Sequence, residues 1–105
     1  MGEDLSKVTL ERCRETLRAL TQNASSEEYF GVPKIGEVLH RNFPDTPRLG
    51  VYMSAPQLRV LRRVLDSLVD SDEASRIRII HTESHRVLYT LGYRYNAERA
   101  EGERS

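Results

Sequence analysis

The stretch RIRIIHTESHRVLYTLGYRY, residues 76–95, has the pattern of a β-hairpin. Apolar and polar residues alternate in its two flanking runs, and this period of two is typical of half-buried strands. In the first run Ile77 and Ile79 alternate with arginines, so we expect the isoleucines to face the core. The polar middle, from His81 to Arg86, predicts a connecting loop longer than a two-residue turn.

Three helices are predicted upstream of the hairpin. The first covers residues 7–22 and the second residues 33–42, and both repeat apolar residues at intervals of three and four. The third follows a capping box, in which the Ser54 hydroxyl and the Gln57 side chain each bind the other residue's backbone N–H. Apolar side chains cover about half of the circumference of this third helix, which predicts a central position in the fold. On the first helix the apolar positions are Leu10, Cys13, Leu17 and Leu20.

The remaining segments carry weaker patterns. Tyr29 and Phe30 are predicted to lie in a short turn before the second helix. Residues 44–53 connect the second and third helices, and alternating apolar residues within 49–53 leave a very short strand open. Residues 1–6 and 96–105 are predicted to be a flexible N-terminus and a disordered tail, because they offer little apolar surface to bury. The predicted domain is therefore residues 7–95.

Composition limits the classes of protein to consider. The chain has 105 residues, which fits one domain. Lys+Arg and Asp+Glu both number 16, so bulk charge does not favour nucleic acid as a partner. Cys13 is the single cysteine and excludes an intrachain disulfide. No apolar run approaches the roughly 18 residues of a membrane span, and the polar N-terminus has no signal-peptide core. We expect a cytoplasmic protein without a membrane partner.

The order of these elements resembles the winged helix-turn-helix superfamily. The closest local likeness is LRRVLDSLVDS, residues 61–71, followed by IRIIHTESHRVLYTLG, residues 77–92. The resemblance covers about residues 9–95. It departs from the superfamily's short turn between the second and third helices, because residues 43–53 intervene with two prolines. The resemblance implies an α+β fold, a three-helix winged helix-turn-helix with a C-terminal β-hairpin.

The resemblance also implies a function. In such proteins the third helix enters the DNA major groove and the hairpin lies along the backbone or the minor groove. Arginine suits both phosphate and guanine because its guanidinium is a bidentate donor. The predicted function is binding of double-stranded DNA by a transcriptional regulator. The predicted contact residues are Arg59, Arg62, Arg63, Arg76, Arg78, His81, His85 and Arg86.

Two alternatives stay open for these residues. Arg59, Arg62 and Arg63 also fit the solvated side of a core helix, with Asp66 and Asp70 neutralising part of the charge. Winged helices also serve as protein–protein interaction modules in larger assemblies, since a fold does not fix a function. A homodimer, through the first helix or an exposed row of tyrosines, is a further open possibility.

The tyrosines of the second strand have two interpretations. Tyr89, Tyr93 and Tyr95 recur at alternate positions, which places them on one face of the strand. Such rings usually cover a core, and we expect that role here. Stacking on single-stranded bases, assisted by Arg94, is the functional alternative.

The sequence carries no motif for catalysis. His81 and His85 with Glu83 lie near one loop, but the spacing is not that of a zinc site. No glycine-rich phosphate loop is present. Cys13 falls on the apolar side of the first helix and is predicted to be a small core residue. We therefore expect neither an enzyme nor a bound cofactor or metal.

Overall fold

The computed structural model describes residues 5–24, 28–50 and 52–96. Within these ranges the chain forms three helices and a three-stranded antiparallel sheet, which confirms the α+β class. After a 3-10 turn at Leu5–Lys7, the helices are α1 (Leu10–Gln22), α2 (Val32–Asn42) and α3 (Ala55–Asp70), and the strands are β1 (Phe30–Gly31), β2 (Ala74–Glu83) and β3 (Arg86–Tyr95). Most of the two predicted flexible ends, namely 1–4 and 97–105, falls outside the described residues.

The helix α1 begins three residues later than predicted because Thr9 caps it. The Thr9 hydroxyl oxygen accepts the backbone N–H of Arg12 at 3.2 Å, and such a cap satisfies one of the N–H groups left free at a helix start. Cys13 and Leu17 are fully buried, as the apolar pattern predicts. Leu10 is exposed instead, since it lies at the outer start of the helix.

Phe30 begins the strand β1, so the turn predicted for Tyr29 and Phe30 is wrong at Phe30. Phe30 and Gly31 pair antiparallel with Tyr93 and Gly92, and β3 therefore lies in the middle of the sheet order β1-β3-β2. A strand of two residues is too short to show an alternating pattern, which explains why the sequence did not indicate it.

The helix α3 forms as the capping box predicts. The backbone N–H of Ser54 donates to Gln57 Oε1 at 2.9 Å, and the N–H of Gln57 donates to Ser54 Oγ at 3.3 Å. Both donors would otherwise lack a partner inside the helix. The fully buried side chains of α3 are Leu61, Leu65 and Leu68, so this helix supplies much of the core.

The connection between α2 and α3 is attached to α1. The two terminal nitrogens of Arg12 donate to the two carboxylate oxygens of Asp45 at 2.9 and 3.1 Å. The same guanidinium lies 4.8 Å from the ring centre of Phe43. These hydrogen bonds from Arg12 lower the pKa of Asp45. The very short strand left open within residues 49–53 does not form in the described part of that segment, residues 49, 50, 52 and 53.

The hairpin is longer and tighter than predicted. Its strands pair without a bulge from Ala74 opposite Tyr95 to Glu83 opposite Arg86. Only Ser84 and His85 remain for the turn, so the long loop predicted over residues 81–86 is wrong. Both turn residues have positive φ, 50° and 66°, as a two-residue type I′ turn requires. That turn usually contains Asn-Gly, and Ser-His carries no such signal.

The two faces of the hairpin have different surroundings. Residues directly opposite each other on paired strands share a face, so Ala74, Tyr93 and Tyr95 lie together, and all three are buried in the core. The core role expected for Tyr93 and Tyr95 is confirmed. Ile77 lies on the other face and is exposed, so the expectation that it faces the core is wrong. The alternating pattern was correct, but both faces carry apolar residues, and the pattern could not show which face the helices cover.

The outer half of the hairpin extends beyond the core. Every residue from 80 to 89 is exposed, whereas Leu91 is half-buried and Tyr93 is fully buried. Tyr89 therefore lies outside the core although it shares a face with Tyr93. In the described ranges, no helix has the length and apolar character needed to cross a membrane.

Candidate nucleic-acid interface

Three of the predicted contact residues form a basic row on α3. Arg59, Arg62 and Arg63 are exposed and line one shallow depression on the helix surface. Positions three and four apart lie on the same side of a helix, which brings their guanidinium groups to one surface. None of the three has an ion-pair partner among the described residues. The row is therefore available to an anionic partner.

The same side of α3 changes sign along its length. Asp66, Ser67 and Asp70 line the C-terminal part of the depression that the arginines begin. Acidic residues near a helix C-terminus face the negative end of the helix dipole, which is unfavourable by about 0.3–1 kcal/mol for an exposed charge in the last turn. The positive charge of this surface lies in its N-terminal half, so the charges of α3 favour an anion at that half.

A hydrogen-bonded cluster joins α3 to the hairpin. Asp66 Oδ1 accepts the Tyr93 hydroxyl at 2.6 Å and also accepts Arg76 Nη1 at 2.7 Å. Burial and the contact with Asp66 raise the pKa of Tyr93, so the hydroxyl stays protonated and remains a donor. The hydrogen bond to Asp66 raises the pKa of Arg76. Arg76 is thus ion-paired, unlike the arginines of α3.

The other hairpin arginines differ in their surroundings. The Arg78 guanidinium lies 4.9 Å from the ring centre of Tyr89, within the range of a cation–π interaction. Arg86 follows the turn and lies opposite Glu83 in the strand register, and it is exposed. Arg78 and Arg86 lie on opposite faces of the hairpin, so one flat surface cannot contact both through these faces.

The two histidines are exposed near the end of the hairpin. His81 lies within β2, and its Nε2 is 3.2 Å from the Thr90 hydroxyl oxygen. His85 is the second residue of the turn. His81 shares a face with Arg86, whereas Arg76 and Arg78 share the other. In the described part of the chain, no group of three His, Cys, Asp or Glu residues is arranged to hold a metal ion.

The structure therefore divides the eight predicted residues into three groups. The first group is the row of Arg59, Arg62 and Arg63 on α3. The second is Arg76 and Arg78, on the face of the hairpin that covers the core. The third is His85 in the turn, with His81 and Arg86 on the opposite face. Asp66 links the first two groups, because it belongs to the α3 surface and binds Arg76. Its bond to Tyr93 spans 27 positions of sequence, and no sequence pattern indicates such a distant pair.

Comparison with protein-family models, curated proteins and solved structures found no match to this chain.

Proposed function

We propose that this protein is a winged-helix transcriptional regulator that binds double-stranded DNA and performs no catalysis. In this proposal the N-terminal half of α3 enters the major groove, and the hairpin lies against the DNA backbone. The three helices and the three-stranded antiparallel sheet are compatible with a winged helix. In winged-helix proteins that bind DNA, the third helix is the element that reads base edges.

The observation that carries the proposal is the unpaired basic row on α3. Arg59, Arg62 and Arg63 have acids nearby on the same helix, and other arginines of this chain do form ion pairs. Three adjacent like charges repel each other at intervals of three and four residues. Such a row is favourable when a polyanion neutralises it, and a protein with zero net charge needs this local concentration to hold DNA.

Titration with a duplex of mixed sequence tests this function. We expect binding at about 50 mM salt, and affinity that falls as salt rises, with a slope of log affinity of about −0.9 for each phosphate neutralised. The triple variant R59Q/R62Q/R63Q should lose most of this affinity and flatten the slope. No binding of the unaltered protein to any mixed-sequence duplex at that salt would exclude the proposal.

A matched control separates the α3 surface from general attraction by charge. Arg41 is an exposed arginine on α2, and in the described part of the chain it pairs only with Glu37, at 3.4 Å. We expect R41Q to leave affinity nearly unchanged, whereas R62Q removes the same charge and weakens binding. Equal losses from R41Q and R62Q would show that the contact is not specific to α3.

The exposed apolar part of the hairpin favours a second candidate function, a protein-interaction module. Ile80, Val87 and Tyr89 lie on one face with 66%, 73% and 58% of their surface exposed. Contiguous exposed apolar residues often mark protein contacts. Tyr93 and Tyr95 are buried, so an exposed row of tyrosines does not form on this strand, and Tyr89 is its one exposed tyrosine. A second copy of the chain is one partner of this kind.

A pull-down and a sedimentation measurement test the second candidate. A single stoichiometric protein, retained after nuclease treatment and lost in I80S/V87S, would favour an interaction module over DNA binding. Association of the purified chain that increases with concentration and disappears in I80S/V87S would identify the second copy. A monomer without a captured protein would exclude this candidate.

A further inference from the structure

We propose that Asp66 and Tyr93 are positioning residues that hold Arg76 for a contact with a DNA phosphate at the junction of α3 and the hairpin. This inference rests on the proposed DNA-binding function. Arg76 makes the contact, Asp66 holds Arg76, and Tyr93 holds Asp66.

The inner end of this chain of contacts is rigid. Tyr93 has 0% of its surface exposed and lies in the central strand β3, so its hydroxyl occupies a fixed position at the edge of the core. The hydroxyl donates to Asp66 Oδ1 at 2.6 Å, which fixes the carboxylate on α3. Asp66 also stands on the side of the helix that carries Arg62 and Arg63. The carboxylate is thus placed by the core and faces the proposed DNA surface.

The outer end is a guanidinium with only one nitrogen hydrogen-bonded among the described residues. Arg76 donates one nitrogen, Nη1, to Asp66 at 2.7 Å, and its side chain is 42% exposed. A guanidinium has five N–H donors in a planar fork, so one edge can bind a carboxylate while the other binds a phosphate oxygen. Holding a long side chain before binding removes part of the entropy cost of ordering it on the DNA.

The position of Arg76 also suits a backbone contact. β2 is an outer strand of the sheet, and residue 76 lies near the base of the hairpin, directly opposite Tyr93. Asp66 lies three and four residues after Arg63 and Arg62, so Arg76 is next to the basic row of α3. A phosphate bordering a groove that holds α3 would face this point.

A double-mutant cycle tests the role of Tyr93. We expect R76Q to weaken binding to a mixed-sequence duplex several-fold and to reduce the salt slope by about 1, since one phosphate contact is lost. Y93F keeps every charge and removes one hydroxyl, and we expect it to weaken binding in the unaltered chain. In the R76Q background, Y93F should have no further effect on affinity, because the residue that Tyr93 helps to hold is already gone.

The controls separate positioning from folding. Y29F removes a hydroxyl from Tyr29, which lies beside Arg94 and outside the proposed DNA surface, and it should leave affinity unchanged. R76K keeps the charge but not the fork, so it should restore the salt slope and only part of the affinity. If Y93F does not fold, D66N replaces it. In the R76Q background D66N removes a negative charge near phosphate and should raise affinity, whereas with Arg76 present this gain should shrink or reverse.

The possible results decide between the two proposals. Unaltered protein that fails to bind DNA overturns the proposed function. Protein that binds while R76Q keeps the full salt slope overturns the positioning role alone. Losses from Y93F and R76Q that multiply, or an equal gain from D66N in both backgrounds, would show that Asp66 and Tyr93 do not act through Arg76 and would also overturn it.

Discussion

Thr21 and Tyr95 join the last turn of α1 to the last residue of β3. The Tyr95 N–H donates to Thr21 Oγ1 at 2.9 Å, and the Thr21 hydroxyl donates to the Leu17 carbonyl at 2.8 Å. The second bond fixes the direction of the hydroxyl and leaves its oxygen free to accept the first. β1 pairs with residues 92 and 93, so among the described residues Tyr95 has no strand partner on that side, and Thr21 replaces one.

Replacing Thr21 by valine should destabilise the protein. Valine has nearly the same shape but no acceptor, so the buried N–H of Tyr95 would lose its partner, at a cost of about 1–3 kcal/mol. Urea denaturation of T21V measures this change in the free energy of unfolding. T21S keeps the hydroxyl and should be affected less, so equal losses in T21V and T21S would contradict the role of the hydrogen bond.

The same replacement at Thr16 should have the opposite effect. Thr16 is fully buried on α1, and its hydroxyl has no hydrogen-bond partner among the described residues. T16V removes this unsatisfied polar group with almost no change in volume, and we expect a gain of about 1 kcal/mol. Thermal and urea unfolding both measure it. A loss of stability in T16V would mean that the hydroxyl has a partner that this arrangement does not show.

Residues that favour positive φ should stabilise the hairpin turn. Ser84 and His85 both hold positive φ, which is unfavourable for residues other than glycine and asparagine. S84N/H85G supplies the preferred type I′ pair, and we expect the hairpin to gain about 1 kcal/mol. Because the outer half of the hairpin is exposed, slower amide hydrogen exchange at residues 81–89 is the most direct measurement. H85A keeps the strained φ, so equal protection in H85A and S84N/H85G would contradict the turn assignment.

The ion pair between Arg14 and Glu73 should make stability depend on pH. Arg14 Nε and Nη2 donate to the two carboxylate oxygens of Glu73 at 2.8 and 3.1 Å. The hydrogen bond from Arg14, more than that from Ser71, lowers the pKa of Glu73 from its usual 4.5. Since the folded state holds its proton less tightly than the unfolded state, the pair stabilises fully above about pH 5. This contribution to stability decreases as pH falls below 4.5, and it is lost once pH is below the lowered pKa of Glu73 in the folded state.

Comparison of E73Q with the unaltered protein measures this contribution. We expect a difference of about 1 kcal/mol in the free energy of unfolding at pH 7, because the pair is bidentate but partly exposed. The difference should be smaller at pH 3 than at pH 7. E37Q is the control, since Glu37 forms only the exposed pair with Arg41 and should matter less. A difference for E73Q that is the same at both pH values would exclude the ion pair as its cause.

The sequence predicts those parts of the fold that depend on residues close together in the chain. The capping box at Ser54 and Gln57 lies within four residues, and the apolar repeats of α1 and α3 lie within a few turns. The turn at Ser84 escaped prediction because its conformation follows from the pairing of the two strands, against the local preference of its residues. The pairing of β2 with β3 therefore determines the conformation of this turn, and the local preference of its residues does not.

The candidate site was predicted by residue type but not by arrangement. The arginines of α3 were expected at an exposed surface, and the structure places Arg59, Arg62 and Arg63 there. The link from Asp66 to Arg76 and Tyr93 depends on how α3 packs on the sheet, and side chains from separate elements leave no periodic signal in a sequence. The faces of His81 and Arg86 likewise follow from the strand register.

Because β2 and β3 pair without interruption, the hairpin is one continuous ribbon that packs on the core at one end. The core holds its inner half, because β1 pairs with Gly92 and Tyr93 and the side chains of Ala74, Tyr93 and Tyr95 are buried. The exposed outer half covers residues 80–89, so each of its two sides has about five residues at about 3.3 Å, a length of about 16 Å. A rotation of about 10° at the point where the core ends would carry the turn through about 3 Å. The position of His85 is therefore set by how the base of the hairpin packs on the core.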